Sequence, residues 1–599
     1  MNDGLPRSGI DKAFLDVTAS ALGRRWSLRA SDEAAISAMT RQVGVSDAVA
    51  RVLVARGVSL HDAPSFLQPT LRDLLPDPST LVGMDDAAAR ILAALKAAET
   101  IAIFGDYDVD GATSSALLAR FFRAVGGKPI VYIPDRMIEG YGPNAPAMLA
   151  LQEQGAKVIV TVDCGITAFE PLAAAKEAGL DVIVIDHHKA EPALPAAAAV
   201  VNPNRLDDTS GQGHLAAVGV AFLLIVAVNR ALRAAGWYTP ERPEPDLRQW
   251  LDIVALGTVC DVVPLRGLNR AFVVQGLKVL AQGANPGLAA LAKVSRVDAR
   301  PTAFHLGYLL GPRVNAGGRV GQADLGTRLL STESADEAAA LAMRLDEFNA
   351  ARKEIEAAVL MEAIEHVETQ ANPDDPVIFA VGRNWHPGVI GIVAGRLKER
   401  YDRPACVIAQ DGGMGKGSGR SVPGIDLGRA ILSARANGLL VNGGGHAMAA
   451  GLTIADEKIP SFIAFMQGEV RRQLAGVQIA PTLVLDGALA VSAVTTAFFE
   501  ELATVAPFGA GNDEPRFVVT SAQVAKADVV GSGHIRCFLT GRSGGRLKAI
   551  AFNAVDSDLG QLLLNSAGRP VHLAGTIRAD TWQGRSDVQL CIEDGALAG

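Results

Sequence analysis

Apolar residues in the first half of the chain come in short runs, and each run ends in an acid or an imidazole. Thr100–Gly105 is followed by Asp106-Tyr107-Asp108-Val109-Asp110-Gly111, residues 158–162 by Asp163, and residues 182–185 by Asp186-His187-His188. A fourth apolar stretch, Leu251–Cys260, ends at Asp261. Val/Ile-rich runs without polar alternation read as parallel strands buried on both faces. Helical patterns over 112–125, 144–154 and 168–179 separate them, with one more strand over 129–134. This alternation predicts an α/β fold with a doubly wound parallel sheet. Such a sheet binds ligands at the carboxyl ends of its strands.

Elsewhere the texture changes. Residues 1–75 read as mostly helical and carry no catalytic pattern, and from Leu215 the pattern is helical again. Residues 334–369 form one uninterrupted helical stretch, about 50 Å long at 1.5 Å per residue. A helix of that length with no core of its own is a bridge between domains. Asn372-Pro373-Asp374-Asp375-Pro376 ends it, and a second α/β unit follows to about residue 475, glycine-rich at 412–419 and 443–445. Alternating runs at 516–520, 534–539, 547–552 and 571–577 then predict a small five-stranded β-barrel of the OB type. The expected division is 1–75 helical, 76–333 catalytic α/β, 334–370 linker helix, 371–478 second α/β and 479–599 β-barrel.

Composition narrows the class. A chain of 599 residues exceeds what one core sustains. Its 49% hydrophobic and 20% charged residues are those of a soluble globular protein. The net charge of −8 carries no basic footprint, so any nucleic-acid surface is local. Cys164, Cys260, Cys406, Cys537 and Cys591 form no CxxC pair, which argues against a zinc ribbon or disulfide framework and suits a reducing cytosol. Met1-Asn2-Asp3-Gly4 opens no signal pattern, and the longest apolar run, 215–228, is too short to span a bilayer. The expectation is a cytoplasmic protein with no membrane contact.

The strand ends deliver Asp108, Asp110, Asp163, His187, His188 and Asp261 to one edge. That is a ligand set for two divalent cations, Mn²⁺ or Mg²⁺. The segment Asp106 to Gly111 also opens an EF-hand pattern, but its twelfth position is Leu117 where a bidentate Glu is needed, and it follows a strand. Singly, each Asp reads as a solvated turn residue. Together on a buried edge, such like charges repel unless a cation neutralises them. Two metals about 3.5–4 Å apart acidify a bridging water and steady the oxygens of a phosphoryl transfer. Asp163, from the middle of the sheet, is placed to bridge both. Asp106 and Asp186 read as orienting groups, with Asp106 open as a direct ligand.

These motifs resemble the DHH phosphoesterase family. The Asp106–Gly111 segment, Val162-Asp163-Cys164-Gly165, Asp186-His187-His188 and Gly257-Thr258-Val259-Cys260-Asp261 match its four motifs in order. Gly311-Pro312-Arg313-Val314-Asn315-Ala316-Gly317-Gly318-Arg319 is similar to a signature of its exonuclease branch. Lys416-Gly417-Ser418-Gly419-Arg420-Ser421 and Gly443-Gly444-Gly445-His446 are similar to a DHHA1 domain. The resemblance implies a two-metal 5′→3′ exonuclease on single-stranded DNA, acting in repair and recombination. It implies that Asp108, Asp110, Asp163, His187 and Asp261 are metal ligands and that His188 sits beside the scissile phosphate. Phe104 stands where many small-substrate members have a histidine ligand, which leaves that coordination site to water or Asp106. A monomeric chain is expected, with a single-strand-binding protein and a helicase as further partners.

For the DNA, Arg313, Asn315 and Arg319 lie among glycines, which allow close backbone approach to a phosphate. Ser418 and Arg420 read as a glycine-rich turn suited to a terminal phosphate. Arg136 is a third candidate, and His446 a fourth. Lys293, Arg296 and Arg300 make a locally basic stretch; in the β-domain Arg536, Arg542, Arg546, Lys548 and Arg578 interleave with Phe538, Phe552 and Trp582, a pattern that fits either strand stacking or barrel core. Two other functions fit parts of the chain. A phosphodiesterase for short oligonucleotides or cyclic dinucleotides would need neither the β-domain nor the long helix. A non-catalytic replication scaffold would have lost metal ligands that are intact here.

Overall fold

A computed structural model describes residues 12–598 apart from 136–137, 141, 299, 371, 373, 475–480, 543, 567 and 581–586. Arg136 and Trp582 therefore lie outside the described residues. Contacts divide the chain into two units: residues 13–346 together with 482–599, and residues 347–481.

The N-terminal segment contributes a short strand, β1 (Arg25–Leu28), and four helices, Glu33–Val43, Asp47–Ala55, Ala63–Leu67 and Leu71–Leu74. The unbroken apolar runs then form β2 (Thr100–Gly105), β3 (Ile130–Tyr132), β4 (Ala156–Val162), β5 (Asp181–Ile185) and β6 (Ala199–Val201). They pair in parallel in the order β3-β2-β4-β5-β6. The chain winds first to one side of β2 and then to the other, which makes β2/β4 the switch point of the sheet. Register matters most: Gly105 pairs with Val162, Val162 with Ile185, and Ile185 with Val201. The strands end level, so Asp106, Asp163, Asp186 and Asn202 follow in one row.

Against the sheet pack the helices Val109–Ala124 and Ala217–Ala234, with Leu251–Cys260 against both. Ala217–Ala234 is long and apolar enough to cross a membrane by composition, yet 72% of it is buried inside the fold. Its apolar character is that of a core helix. Gly257 is where these helices meet, since a Cβ there would strike Thr113 Oγ1 and lie 2.8 Å from Val218 Cγ1.

The long helix runs Ala335–Gln370. The division between the two units falls within it, but it is not without buried residues as its length alone predicts. Its first turns bury Ala338, Leu341, Ala342 and Leu345, and its last bury Val359, Ala363 and Val367. The latter join the core formed by Ile378, Val393, Leu397, Ala405 and Val407.

In the second unit β7 (Ile378–Arg383), β8 (Ala405–Asp411), β9 (Met414–Arg420), β10 (Asn442–His446) and β11 (Ala449–Ala455) lie in the order β10-β11-β9-β8-β7. One expectation is corrected here: Ser418 and Arg420 lie in strand β9, and the turn is at Gly412-Gly413. The glycines of β9 are packing glycines. A Cβ at Gly415 would lie 2.8 Å from Ile408, at Gly417 2.7 Å from Leu452, and at Gly419 2.5 Å from Leu427. Every second residue is glycine because one face of the strand is pressed against side chains that leave no room.

The C-terminal part opens with β12 (Thr482–Leu485), which pairs in parallel with β1. β13 (Gly487–Leu489), β14 (Arg516–Val530), β15 (His534–Thr540), β16 (Arg546–Ala551), β17 (Val571–Asp580) and β18 (Asp587–Leu597) follow. Their order is β13-β14-β15-β16-β18-β17, and β14–β17 pairing closes five of them into a barrel of the expected OB type. The N-terminal helices share its core, with Ile36, Met39, Val49 and Leu53 in one cluster with Phe517, Leu539 and Leu547. Helices that short cannot enclose a core alone.

Candidate metal centre

The level strand ends bring the acids together. Asp163, Asp106 and Asp108 place one ligand atom each within 4.8 Å of one another; so do Asp110, His187 and Asp261, and so do Asp163, His187 and His188, the histidines through ring nitrogens. His187 Nε2 lies 3.3 Å from Asp163, 3.7 Å from Asp261 and 3.9 Å from Asp110. Asp163 belongs to two of the three groups and follows β4, the central strand, as the sequence pattern predicts.

Each group is held by backbone. Asp108 caps the helix Val109–Ala124 and accepts from Gly111 N at 3.0 Å. Gly111 is required there, because a Cβ would strike the backbone of Asp106. Asp110 accepts from Ala217 N at 2.6 Å and Val218 N at 2.9 Å, at the start of the core helix. Asp261 caps the end of Leu251–Cys260. His187 Nδ1 lies 3.0 Å from Leu215 O. With the proton on Nδ1, that contact leaves Nε2 as the electron-pair donor facing the carboxylates.

Asp186 has a different task. Its Oδ1 accepts from His187 N, His188 N and the His188 ring, at 2.7, 3.0 and 2.7 Å, and its Oδ2 accepts from Ile166 N at 3.0 Å. Two asparagines that sequence patterns left unnoticed complete the support. Asn202 donates to His188 O at 2.9 Å, and Asn204 to His187 O at 2.5 Å. The signal was present: Asn202 ends the apolar run of β6 as Asp186 ends that of β5. Phe104 turns into the core against Tyr132, with ring centroids 5.3 Å apart, and Asp106 lies with Asp108 and Asp163.

Electrostatics separate these roles. Burial, then the charge of Asp108, pushes Asp110 and Asp163 up; burial, then Asp110 and Asp108, pushes Asp261 up. Burial pushes Asp186 the same way, but the hydrogen bond and charge of His188 win and hold it below the usual carboxylate range. A buried set that resists ionisation is a set prepared for cations. The geometry agrees: His187 Nε2 and Asp261 Oδ2 are buried with no hydrogen-bond partner among the described residues.

The candidates for DNA contact divide. The helix Gly311–Val320 lies against the first motif, since a Cβ at Gly318 would sit 2.7 Å from Tyr107 O. Its glycines allow close packing; one at 311 faces Cys260. Arg313 bonds Asp346 at 2.8 Å and Leu309 O at 2.7 Å. Asn315 and Arg319 are half-buried on the same helix. In the second unit Arg420 pairs across the sheet with Ala449, and Ala449 with His446. Those three residues therefore share a face. Ser418 and Arg420 also face the first turn of the helix Ile390–Tyr401, where a Cβ at Gly391 would lie 3.1 and 3.0 Å from them. In the neighbouring row, where Ser418 pairs with Gly451 and Gly451 with Gly444, the same face is bare, because a Cβ at Gly444 or Gly451 would meet nothing within 4 Å.

Three family models match the chain: the DHH family N-terminal domain over residues 100–258, the DHHA1 domain over 374–472 and the RecJ OB domain over 485–594. The single-stranded-DNA-specific exonuclease RecJ of Bacillus subtilis is 34% identical over 96% of this chain and 71% of its own length. That of Dickeya dadantii is 38% identical, over 88% and 92%. The crystal structure of RecJ with Mn²⁺ from Thermus thermophilus superposes with a TM-score of 0.79 at 32% identity, covering 95% of this chain and 79% of that one. The Mg²⁺ complex from the same organism gives 0.74 at 30% identity, over 96% and 78%.

Proposed function

The chain belongs to the RecJ family of the DHH phosphoesterases, and from that membership and the carboxylate cluster we propose that it is a divalent-metal-dependent exonuclease on single-stranded DNA, acting in repair and recombination. The observation that carries the proposal is the row of acids at the level strand ends, beside which His187 Nε2 and Asp261 Oδ2 are buried with no hydrogen-bond partner among the described residues. Asp108, Asp110, Asp163, His187 and Asp261 would hold two cations, Mn²⁺ or Mg²⁺; Asp163 belongs to two of the three ligand groups, and Asp106 is a further candidate ligand. Bound there, the cations would supply a water of lowered pKa and neutralise charge on the phosphate.

The chain's own groups do the rest. Asp186 fixes the His188 ring through Nδ1, leaving Nε2 for a phosphate oxygen or the leaving group. Asn202 and Asn204 hold the backbone of both histidines. Asn315 and Arg319, on the helix against Tyr107, would meet the DNA backbone, as would Arg136. Arg313 is read as a positioning residue through Asp346. Ser418, Arg420 and His446 would receive a terminal 5′-phosphate on their face of the sheet, and we propose the 5′→3′ direction with it. A cytosolic location fits the five cysteine thiols, none in a disulfide, and we take the chain to act as a monomer. A single-strand-binding protein and a helicase are the partners that such a substrate implies, since one covers single strands and the other makes them.

The test uses end-labelled oligonucleotides with and without Mn²⁺. Single strands with a 5′-phosphate should be degraded from that end, blunt duplex should resist, and chelation should stop the reaction. Equal rates on blunt duplex and single strand would sink the proposal. Arg420→Ala should lower the ratio of kcat/KM between 5′-phosphate and 5′-hydroxyl substrates by roughly ten- to a hundredfold, the worth of a charged hydrogen-bond pair. An unchanged ratio removes Arg420 from that role.

A further inference from the structure

Among the described residues three aromatic side chains are exposed: Phe304, Tyr308 and Phe552. Two of them are neighbours. Phe304 and Tyr308 stack with ring centroids 5.0 Å apart and planes 23° from parallel, at 56% and 72% exposure. His305 meets the Phe304 ring edge-on at 5.9 Å.

The pair sits on a wide-turned π-helical segment, His305–Leu310, that buries Leu306 and Leu310 beneath it. That segment is seated on the end of the helix Leu251–Cys260. Cys260 Sγ lies 3.5 Å from Leu306 O, and a Cβ at Gly307 would lie 3.3 Å from Val259 Cγ1. The next residue after Cys260 is Asp261 of the acidic cluster. On the other side Arg313 is bonded to Leu309 O, beside Tyr308. Lys293, Arg296 and Arg300 precede the segment and are exposed, with Asp298 the one exposed acid among them.

Bulky aromatics presented to water next to cationic residues have one common use in chains that handle nucleic acid, the stacking of unpaired bases. Duplex bases offer no free face there, and a protein partner would not require rings held parallel. Resting on the exonuclease assignment, we propose that Phe304 and Tyr308 form a base-stacking platform. It would hold an unpaired nucleobase of the substrate strand within a few nucleotides of the scissile bond and so select single strands.

The experiment is an abasic scan. Labelled single strands, each lacking one base, are bound to the full-length protein in chelator, and affinity is read by fluorescence anisotropy. The wild-type protein should lose about tenfold in affinity at one or two adjacent positions, the worth of one stacked base. In F304A/Y308A the intact strand should bind about tenfold more weakly and those positions should no longer stand out. Y308W should restore the profile, which a purely structural role would not allow. F304L/Y308L keeps the apolar bulk without a ring and should behave as F304A/Y308A, so a folding defect in the alanine variant does not decide the matter. A flat scan in the wild type, or an equal profile in wild type and variants, overturns the platform. Neither result touches hydrolysis itself, which the end-labelled assay tests.

Discussion

At Asp163 the backbone is held in the left-handed region, with φ of 61°. A non-glycine residue there is strained, and the surrounding sheet must enforce it. The enforcement is visible: Asp163 N continues the β4–β5 ladder to Ile185 O at 3.0 Å, and Gly165 follows at φ of 115°. Asp163→Asn keeps the shape and tolerates that conformation, so the fold should survive. Hydrolysis should fall below about a hundredth of wild type, because the residue shared by two groups of ligands is lost. Apparent stability without metal should not fall, since an amide cannot ionise in a buried site where Asp163 already resists ionisation. Near-normal activity at saturating Mn²⁺ refutes the assignment. Asp186→Asn separates orienting from ligating: activity should drop about ten- to a hundredfold, with Mn²⁺ affinity measured alongside. Complete loss would mean that Asp186 does more than hold His188.

The strand β9 shows why an element can defeat its own propensity. Glycine at alternate positions weakens a strand in isolation. Here the pattern is demanded by tertiary packing on one face, while Lys416, Ser418 and Arg420 occupy the other. Gly417→Ala should cost about 1–3 kcal/mol, because its Cβ would meet Leu452 at 2.7 Å. Gly444→Ala, whose Cβ meets nothing within 4 Å, should change stability by less than about 0.5 kcal/mol. Chemical denaturation of the two variants checks both numbers, and equal effects would show that the packing argument is wrong.

Across the whole molecule, residues far apart in sequence are tied by one buried cation. Arg270 is 1% exposed and donates to Phe66 O at 2.6 Å, Ala506 O at 2.7 Å and Thr504 O at 3.3 Å. It thereby joins the N-terminal segment, the metal-binding sheet's helices and the segment leading into the barrel. Burial depresses its guanidinium to about 10, still charged at neutral pH. Trp26 Nε1 bonds Asp594 at 3.0 Å and ties the N-terminus to the last strand. Arg270→Met should destabilise this unit by roughly 2–5 kcal/mol, because three carbonyls lose their donor in a buried site. Limited proteolysis should then cut near residue 75 before the metal-binding sheet unfolds. An unchanged protease pattern and melting point would remove Arg270 from this role.

The parallel sheet, the acids at its strand ends and the five-stranded barrel were all legible in the chain before any fold was known. Each of those is written in a local pattern: an apolar run, its terminal residue, an alternation of period two. The row formed by Asp106, Asp163, Asp186 and Asn202 needed the register, since only level strand ends turn four separate termini into one site. Three features came from the folded molecule alone: the N-terminal helices belong to the barrel core, Arg313 is engaged by Asp346, and the glycines around Ser418 form a strand. One cause underlies all three. Burial, ion pairing and close backbone approach are set by residues far away in sequence, and a single segment carries no record of what will be packed against it.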